Sequence, residues 1–405
     1  MKASRMRLAS ALALAAVLAA PAVAQDAPDP SDWDGVTDAA QGQTVYWHAW
    51  GGSTPTNDFI AWIGEQASEQ GVTLEHVKLA DTADAVGAVV TEQQAGRDAD
   101  GSVDLIWING ANFAAMKEAD LLFGPFAEQL PNWRYVDVEG KTVTTDFTVP
   151  TEGYESPWAM AQLVFVYDGA RLQDPPRTAP ELLAWAEANP GRFTYPQPPD
   201  FLGTTFLKQM LIELAPEPAA LQEPAGDDYA EVTAPLWSFL DTLTPQLWRE
   251  GRAYPETGPR MLQLINDGET DLAFSFSPGE ASTAIANFQL PESVRTYVLE
   301  EGTIGNASFV AIPYNSSAKE GAMVVADILL SPEAQARAQD PAILGYDTVL
   351  DLSKLSETQR AAFDALDLGV ATLAPEELGQ ALPEPHPSWA TRLAEDWVER
   401  YGVAN

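Results

Sequence analysis

Residues 44–58 read TVYWHAWGGSTPTND. The run from Thr44 to Trp50 is rich in aromatic and β-branched residues and reads as a strand. It breaks at Gly51-Gly52, and small hydroxyl residues then lead into a helix with Asn57 placed to cap it. A strand that turns on glycine and feeds a helix is the opening half of a β-α-β unit, so this stretch sets the fold class as α/β.

The same alternation continues outward. The pattern predicts a helix over 57–69, a strand over 72–79, a helix over 82–95, a strand over 103–108 and a helix over 112–119. The apolar run AQLVFVYD, 161–168, reads as one buried strand and opens a second α/β series. That series has helices from Glu181, over 201–214, 229–243 and 259–266, and a strand over 271–276. A strand over 307–315 follows, and then helices over 319–330, 332–339, 357–365 and 388–401.

The ends and the composition bound what such a chain does. Residues 1–24 carry Lys2, Arg5 and Arg7, an Ala/Leu/Val run and Ala22-Val23-Ala24, the three-part pattern of a cleavable secretion signal. Residues 25–42, rich in Asp, Pro and Ala, read as a flexible leader, with order beginning at Thr44. No later segment approaches the ~20 apolar residues that span a bilayer, so the expectation is a soluble exported protein. Cysteine is absent, which excludes disulfides, thiolate metal sites and a lipidated cysteine anchor, and the expected location is the periplasm. A formal charge of −37 disfavours nucleic acid and anionic lipid as partners. The plain account of that acidity is a solvated surface; a cationic ligand is the alternative.

Signals for catalysis are missing. The three histidines, His48, His76 and His386, are far apart, and no HExxH exists to hold zinc. G-x-S-x-G, a Walker loop and a Rossmann fingerprint are also absent. A glycosidase-like carboxylate pair is invisible in one sequence, so an exported hydrolase of carbohydrate or phosphate esters stays as the alternative. No catalytic residue, metal ligand or cofactor is assigned.

Ligands of open α/β sheets sit beyond the carboxyl ends of strands. Those ends share a composition here. Trp50, Gly52 and Ser53 follow the first strand. In DLIWINGANF, Trp107, Asn109 and Asn112 flank a glycine turn. Trp158 and Gln162 belong to GYESPWAMAQ, Phe201 and Thr204 to YPQPPDFLGTTF, and Ser275, Phe276 and Ser277 to FSFSPGEA. Each has an ordinary structural reading as turn, cap or core anchor. Together they describe a cleft lined with aromatics and neutral polar groups, suited to stacking and hydrogen bonding.

These segments, with VVADILLSPEAQARAQD and the terminal PHPSWATRLAEDWVERYG, resemble the solute-binding proteins of bacterial ABC importers, of the type II periplasmic binding class and its YnjB-like branch. The resemblance covers the chain from about Thr44 to Gly402. It implies a two-lobe fold with a ligand cleft between the lobes, lobe one from residues 43–155 and 305–405 and lobe two from 156–304. Crossovers are expected near 152–158 and 303–306, with Gly302 and Gly305 suited to rotation and Asn306 added to the ligand-binding set. The implied function is capture of a small-molecule solute and its delivery, by a monomer, to the permease subunits in the inner membrane. No Tyr-Tyr pair supplies phenolate ligands, which counts against iron. A thiamine-like or other small aromatic or cationic solute fits the aromatics. Sugars, whose rings also stack on aromatics, and polyamines stay open; a polyamine requires acids converging on the cleft, for which Asp58, Asp104, Glu155, Asp200 and Glu280 are the nearby candidates.

Overall fold

Strand-helix alternation organises the first part of the chain in a computed structural model that describes residues 28–379 and 381–403. The secretion-signal reading of residues 1–24 lies outside the described residues. After α1 (Trp33–Ala40) come β1 (Thr44–Trp50), α2 (Thr54–Glu69), β2 (Thr73–Leu79), α3 (Ala83–Gln94), β3 (Leu105–Ile108) and α4 (Ala111–Glu118). A short hairpin, β4 (Thr145–Asp146) and β5 (Val149–Pro150), precedes β6 (Glu155–Gln162). The second series is β7 (Val164–Asp168), α5 (Ala179–Ala188), α6 (Phe201–Leu214), α7 (Tyr229–Leu243), α8 (Gly258–Asn266), β8 (Leu272–Ser275), α9 (Glu280–Ala286) and β9 (Val294–Tyr297). The chain returns through β10 (Gly305–Ala311), α10 (Lys319–Leu329), α11 (Pro332–Gln339), α12 (Glu357–Asp364), α13 (Pro375–Leu378) and α14 (Pro387–Tyr401).

Two lobes result, each around its own sheet. The first sheet has the order β2-β1-β3-β10-β6, with β1 parallel to β2 and β3, and β10 antiparallel to β3 and β6. In β1, Val45, Trp47 and Ala49 point into one core while Tyr46, His48 and Trp50 lie on the less buried face, as the two-residue period requires. The second sheet, β8-β7-β9, is antiparallel, and helices α5 to α8 pack against it around Phe165, Phe206 and Phe274.

Three expectations are corrected. The leader is not loose throughout: α1 is capped by Asp32, which accepts from the Gly35 N–H at 3.2 Å, and Val36 and Ala40 bury one face against α10. The apolar run 161–168 is two strands. β6 belongs to the first sheet and β7 to the second, so the first crossing falls at Leu163 rather than near 152–158, and residues 156–162 belong to lobe one. The C-terminal helix does not stay with lobe one. Trp389, Leu393 and Trp397, at four-residue spacing on α14, join the second core, where the Trp397 indole N–H donates to the Tyr195 hydroxyl at 3.0 Å. Burying such side chains contributes roughly 1.5–3 kcal/mol each, enough to fasten the helix to α6.

The chain therefore crosses between lobes a third time, and the crossings lie side by side. Leu163 N–H donates to Ile304 O at 2.8 Å, Leu382 N–H to Thr303 O at 2.8 Å, and Gly305 N–H to Leu382 O at 3.0 Å. Gly305 permits this approach, since a Cβ there would lie 2.6 Å from Ala381 Cβ and 2.8 Å from Ala161 O. Gly302, at φ +97, makes the turn just before it.

Candidate functional site

The lobes meet where the turn after β3 and Phe147 of the β4–β5 hairpin face α6, and where Gly345 meets the loop after β8. At the end of β1 the Trp50 indole folds back over its own turn: a Cβ on Gly52 would lie 2.5 Å from that ring. Gly52 is thus needed by Trp50. The cap of α2 is Ser53, in extended conformation, rather than the expected Asn57, which sits one turn in and donates through Nδ2 to Gly51 O at 3.1 Å.

At the end of β3, Asn109 Nδ2 donates to Ala307 O at 2.6 Å and ties the turn to β10. Gly110 has φ +58, and the Phe147 ring fills the place of its missing side chain at 2.7 Å. Its N–H donates to Asp146 Oδ2. Asn112 is half-buried in the first turn of α4.

Trp107 and Trp158 play different parts. Trp107 is half-buried, edge-on to Trp158 at 4.8 Å. Trp158 was expected in a cleft loop but stands in β6, wholly buried between Phe59, Trp47, Trp107 and Tyr346. It backs the cleft wall and presents no face to it. Gln162 is also placed otherwise than expected: its Nε2 donates to Thr303 Oγ1 at 3.3 Å and Leu378 O at 3.2 Å, within the crossing.

On the second lobe, Asp200 caps α6 by accepting from Leu202 and Gly203 N–H groups, which leaves Phe201 half-exposed and Thr204 half-buried near the helix start. Phe201 meets Phe276 edge-to-face at 5.1 Å. One turn beyond Thr204 on the same face is Lys208, which the sequence reading missed. Its ammonium donates to Glu384 Oε2 at 2.6 Å and lies 4.7 Å from the Phe147 ring centre and 5.7 Å from that of Phe201. The other oxygen of Glu384 accepts from Asn306 Nδ2 at 3.0 Å. Phe147 is a first-lobe residue, so Lys208 reaches across the cleft.

The β8 loop makes a second cross-lobe contact. Ser277 Oγ donates to Gly345 O at 3.1 Å and Gly279 N–H to the same oxygen at 3.2 Å. The Ser275 hydroxyl accepts from Ser277 N–H at 3.0 Å and donates to Glu280. Tyr346, beside Gly345, lies in the field of Glu280.

Carboxyls dominate the electrostatics. Burial pushes Asp146 up to about 8, against the Gly110 N–H, with the Glu384 charge adding to the rise. Burial likewise holds Glu155 well above the usual carboxylate range, with Asp146 contributing, and raises Glu280. Asp146 Oδ1 and both oxygens of Glu155 have no hydrogen-bond partner. None of the ion pairs among the described residues involves Asp146, Glu155 or Glu280. Of the other acids considered, Asp104 is spent on Tyr46 and Ser316, Asp200 on its cap, and Asp58 is exposed on α2. Each histidine has its own partner: His48 meets Tyr46 O, His76 on the adjacent strand meets Ala49 O, and His386 caps α14. Among the described residues no group of three His, Cys, Asp or Glu is placed to hold a metal ion.

The sequence held one usable signal for Lys208: it is a lone cation on an apolar helix, four residues after Thr204 and seven after Phe201. Asp146, Phe147, Tyr346 and Glu384 have no comparable signature.

Comparison with known proteins agrees with this geometry. The pattern of the bacterial extracellular solute-binding protein family matches residues 61–358. Protein YnjB of Escherichia coli K12 is 48% identical over 375 residues, 92% of this chain and 95% of YnjB. Among solved structures, the periplasmic binding protein AfuA of Actinobacillus pleuropneumoniae, with fructose-6-phosphate bound, has TM-score 0.61 at 14% identity over 89% of this chain and 99% of its own. A putative spermidine/putrescine ABC transporter protein of Listeria monocytogenes has TM-score 0.59 at 18% identity over 88% and 99%. These two likenesses show the shared two-lobe fold. With the family pattern spanning most of the chain and a relative near half identical along almost its whole length, the chain belongs to the bacterial extracellular solute-binding proteins, the solute-binding component of ABC transporters, in a branch with YnjB.

Proposed function

We propose that this chain captures a small cationic solute with a flat or aromatic body, of which thiamine is the type, and delivers it in the periplasm, as a monomer, to the permease of an ABC importer. One observation carries the cationic reading: among the described residues Glu280 and the buried Asp146 and Glu155 make no ion pair, and of these four acids Glu384 alone is paired, with Lys208. Burial holds such carboxyls in their protonated form, and a positive ligand beside one favours its ionisation. Phe147 and Phe201 lie against Lys208, Phe276 meets Phe201, and Trp107 and Tyr346 pack on Trp158, so both lobes offer rings for stacking and cation-π contact. Binding acts by linkage: a solute touching both lobes stabilises their contact, and the permease reads the closed shape.

The test is a thermal-shift and calorimetric titration of ligand-stripped protein with thiamine, its phosphates, monoamines and neutral sugars. A cation at ~100 times its dissociation constant adds roughly 2.7 kcal/mol, a shift of several degrees. Binding of a neutral sugar with no response to any cation would refute the reading. Turnover of a chromogenic ester or glycoside would revive the hydrolase alternative, which the binding-protein family and fold do not favour.

A further inference from the structure

Two acid poles lie near the cross-lobe contacts, one beside Ser275 and one against Lys208, with the Phe276–Phe201 pair in the chain of contacts between them. At one, Glu280 receives only the Ser275 hydroxyl. From Ser275 the chain passes to Phe276, which meets Phe201 edge-to-face at 5.1 Å; the Phe201 ring in turn lies 5.7 Å from the Lys208 ammonium. At the other pole Glu384 accepts that ammonium at 2.6 Å, Phe147 covers it at 4.7 Å, and Asn306 orients the carboxylate. Asp146, fully buried and with Oδ1 unpartnered, is near enough for Glu384 and Lys208 to influence its ionisation.

A carboxylate, two aromatic faces and a second acid nearby make the receptor that an alkylammonium group requires. Here the occupant is tethered to the protein. Both Lys208 and Glu384 are 2% exposed or less, so no water layer screens the pair.

We infer that Lys208 is a specificity residue: its ammonium fills the second cation subsite, so the cleft accepts a solute with one cationic centre, seated at Glu280, and refuses diamines and polyamines. A second ammonium arriving at Glu384 would meet like charge and occupied space. The solute's far end, over Phe276 and Phe201, must then be neutral or anionic. This rests on the cationic reading above and sharpens it from cation to single cation.

The experiment compares wild type, Lys208→Met and Lys208→Met/Glu384→Gln by calorimetric titration with putrescine, spermidine and thiamine. Wild type is expected to show no saturable putrescine or spermidine binding. Lys208→Met should gain affinity for putrescine by at least about tenfold, and the double variant should lose that gain, since the receiving carboxylate is gone. Tight putrescine binding by wild type, or a folded Lys208→Met protein that gains nothing, overturns the inference.

The two readings fail separately. Putrescine gain without thiamine binding in wild type supports the role of Lys208 and removes the thiamine-like ligand. Thiamine binding without putrescine gain does the reverse. If Lys208→Met folds poorly, its melting temperature should rise saturably with propylamine and not with equal sodium chloride; no such difference overturns the inference as well.

Discussion

Glu280, beside Ser275, and Glu384, against Lys208, are treated differently by the fold. Glu384 is paired with Lys208, steadied by Asn306 and shut away from water. Glu280 has a single neutral hydroxyl beside it and no ion pair. Two carboxylates in the same cleft thus serve different ends of the free-energy balance. Changes at Glu384 should be read in folding, and changes at Glu280 in binding.

The largest effect should come from splitting the closed pair. Lys208→Met leaves a buried charge uncompensated and should cost about 3–5 kcal/mol in urea unfolding, while the double change with Glu384→Gln recovers most of it. A single variant as stable as wild type would show that water reaches the pair, and the contrast between the poles would fail.

Glu280→Gln is the counterpart. Stability should change little, and affinity for thiamine should fall roughly 100-fold, about 2.7 kcal/mol. Unchanged affinity would remove Glu280 from the site.

Asp146 sharpens the comparison through pH. Its carboxyl is pushed up to about 8 by burial, whereas an unfolded Asp titrates at about 3.9. Between those values the unfolded chain releases the proton and the folded one keeps it. The contribution is therefore full below about pH 4 and is lost as pH rises towards about 8. Asp146→Asn should stabilise the protein near pH 5.5, on the order of 2 kcal/mol, and do little near pH 4. Equal effects at both pH values would show that the carboxyl titrates normally.

Closure itself can be probed at Gly279, where a Cβ would lie 2.3 Å from Gly345 O across the lobes. Gly279→Ala should lower affinity about tenfold, because the competent closed form is less populated, with folding of each lobe intact. The smallest change is expected from Phe201→Ala, which removes the ring between the poles and should cost about 0.5–1 kcal/mol of affinity. A much larger loss would mean that the ligand stacks on Phe201.

Much of the fold was legible because its signals are local. Helices α6, α7 and α11 begin and end at the expected residues, α6 with an Asp200 cap and α11 with a Ser331 cap and Pro332 at its start. The misreadings have physical causes. An apolar run reports burial and says nothing about which sheet buries it, so β6 and β7 read as one strand. Helix α14 presents an ordinary amphipathic stripe, and nothing in that stripe tells that its partner is the second core. In the site, Trp158 carries the same signature as a ligand platform and turns out to be packed on all sides. The Lys208–Glu384 pair joins residues 176 apart, beyond any spacing rule.

The third crossing has a mechanical consequence. Two ribbons between rigid bodies allow both bending and twisting. Here three strands are bonded edge to edge through Leu163, Ile304 and Leu382, and they behave as a narrow strip. A strip bends easily across its flat face and resists shear in its plane, because in-plane sliding would break the Gly305–Leu382 and Leu163–Ile304 bonds together. The lobes are left with essentially one coordinate of relative motion, a hinge, and the jaws return to the same register each time they close.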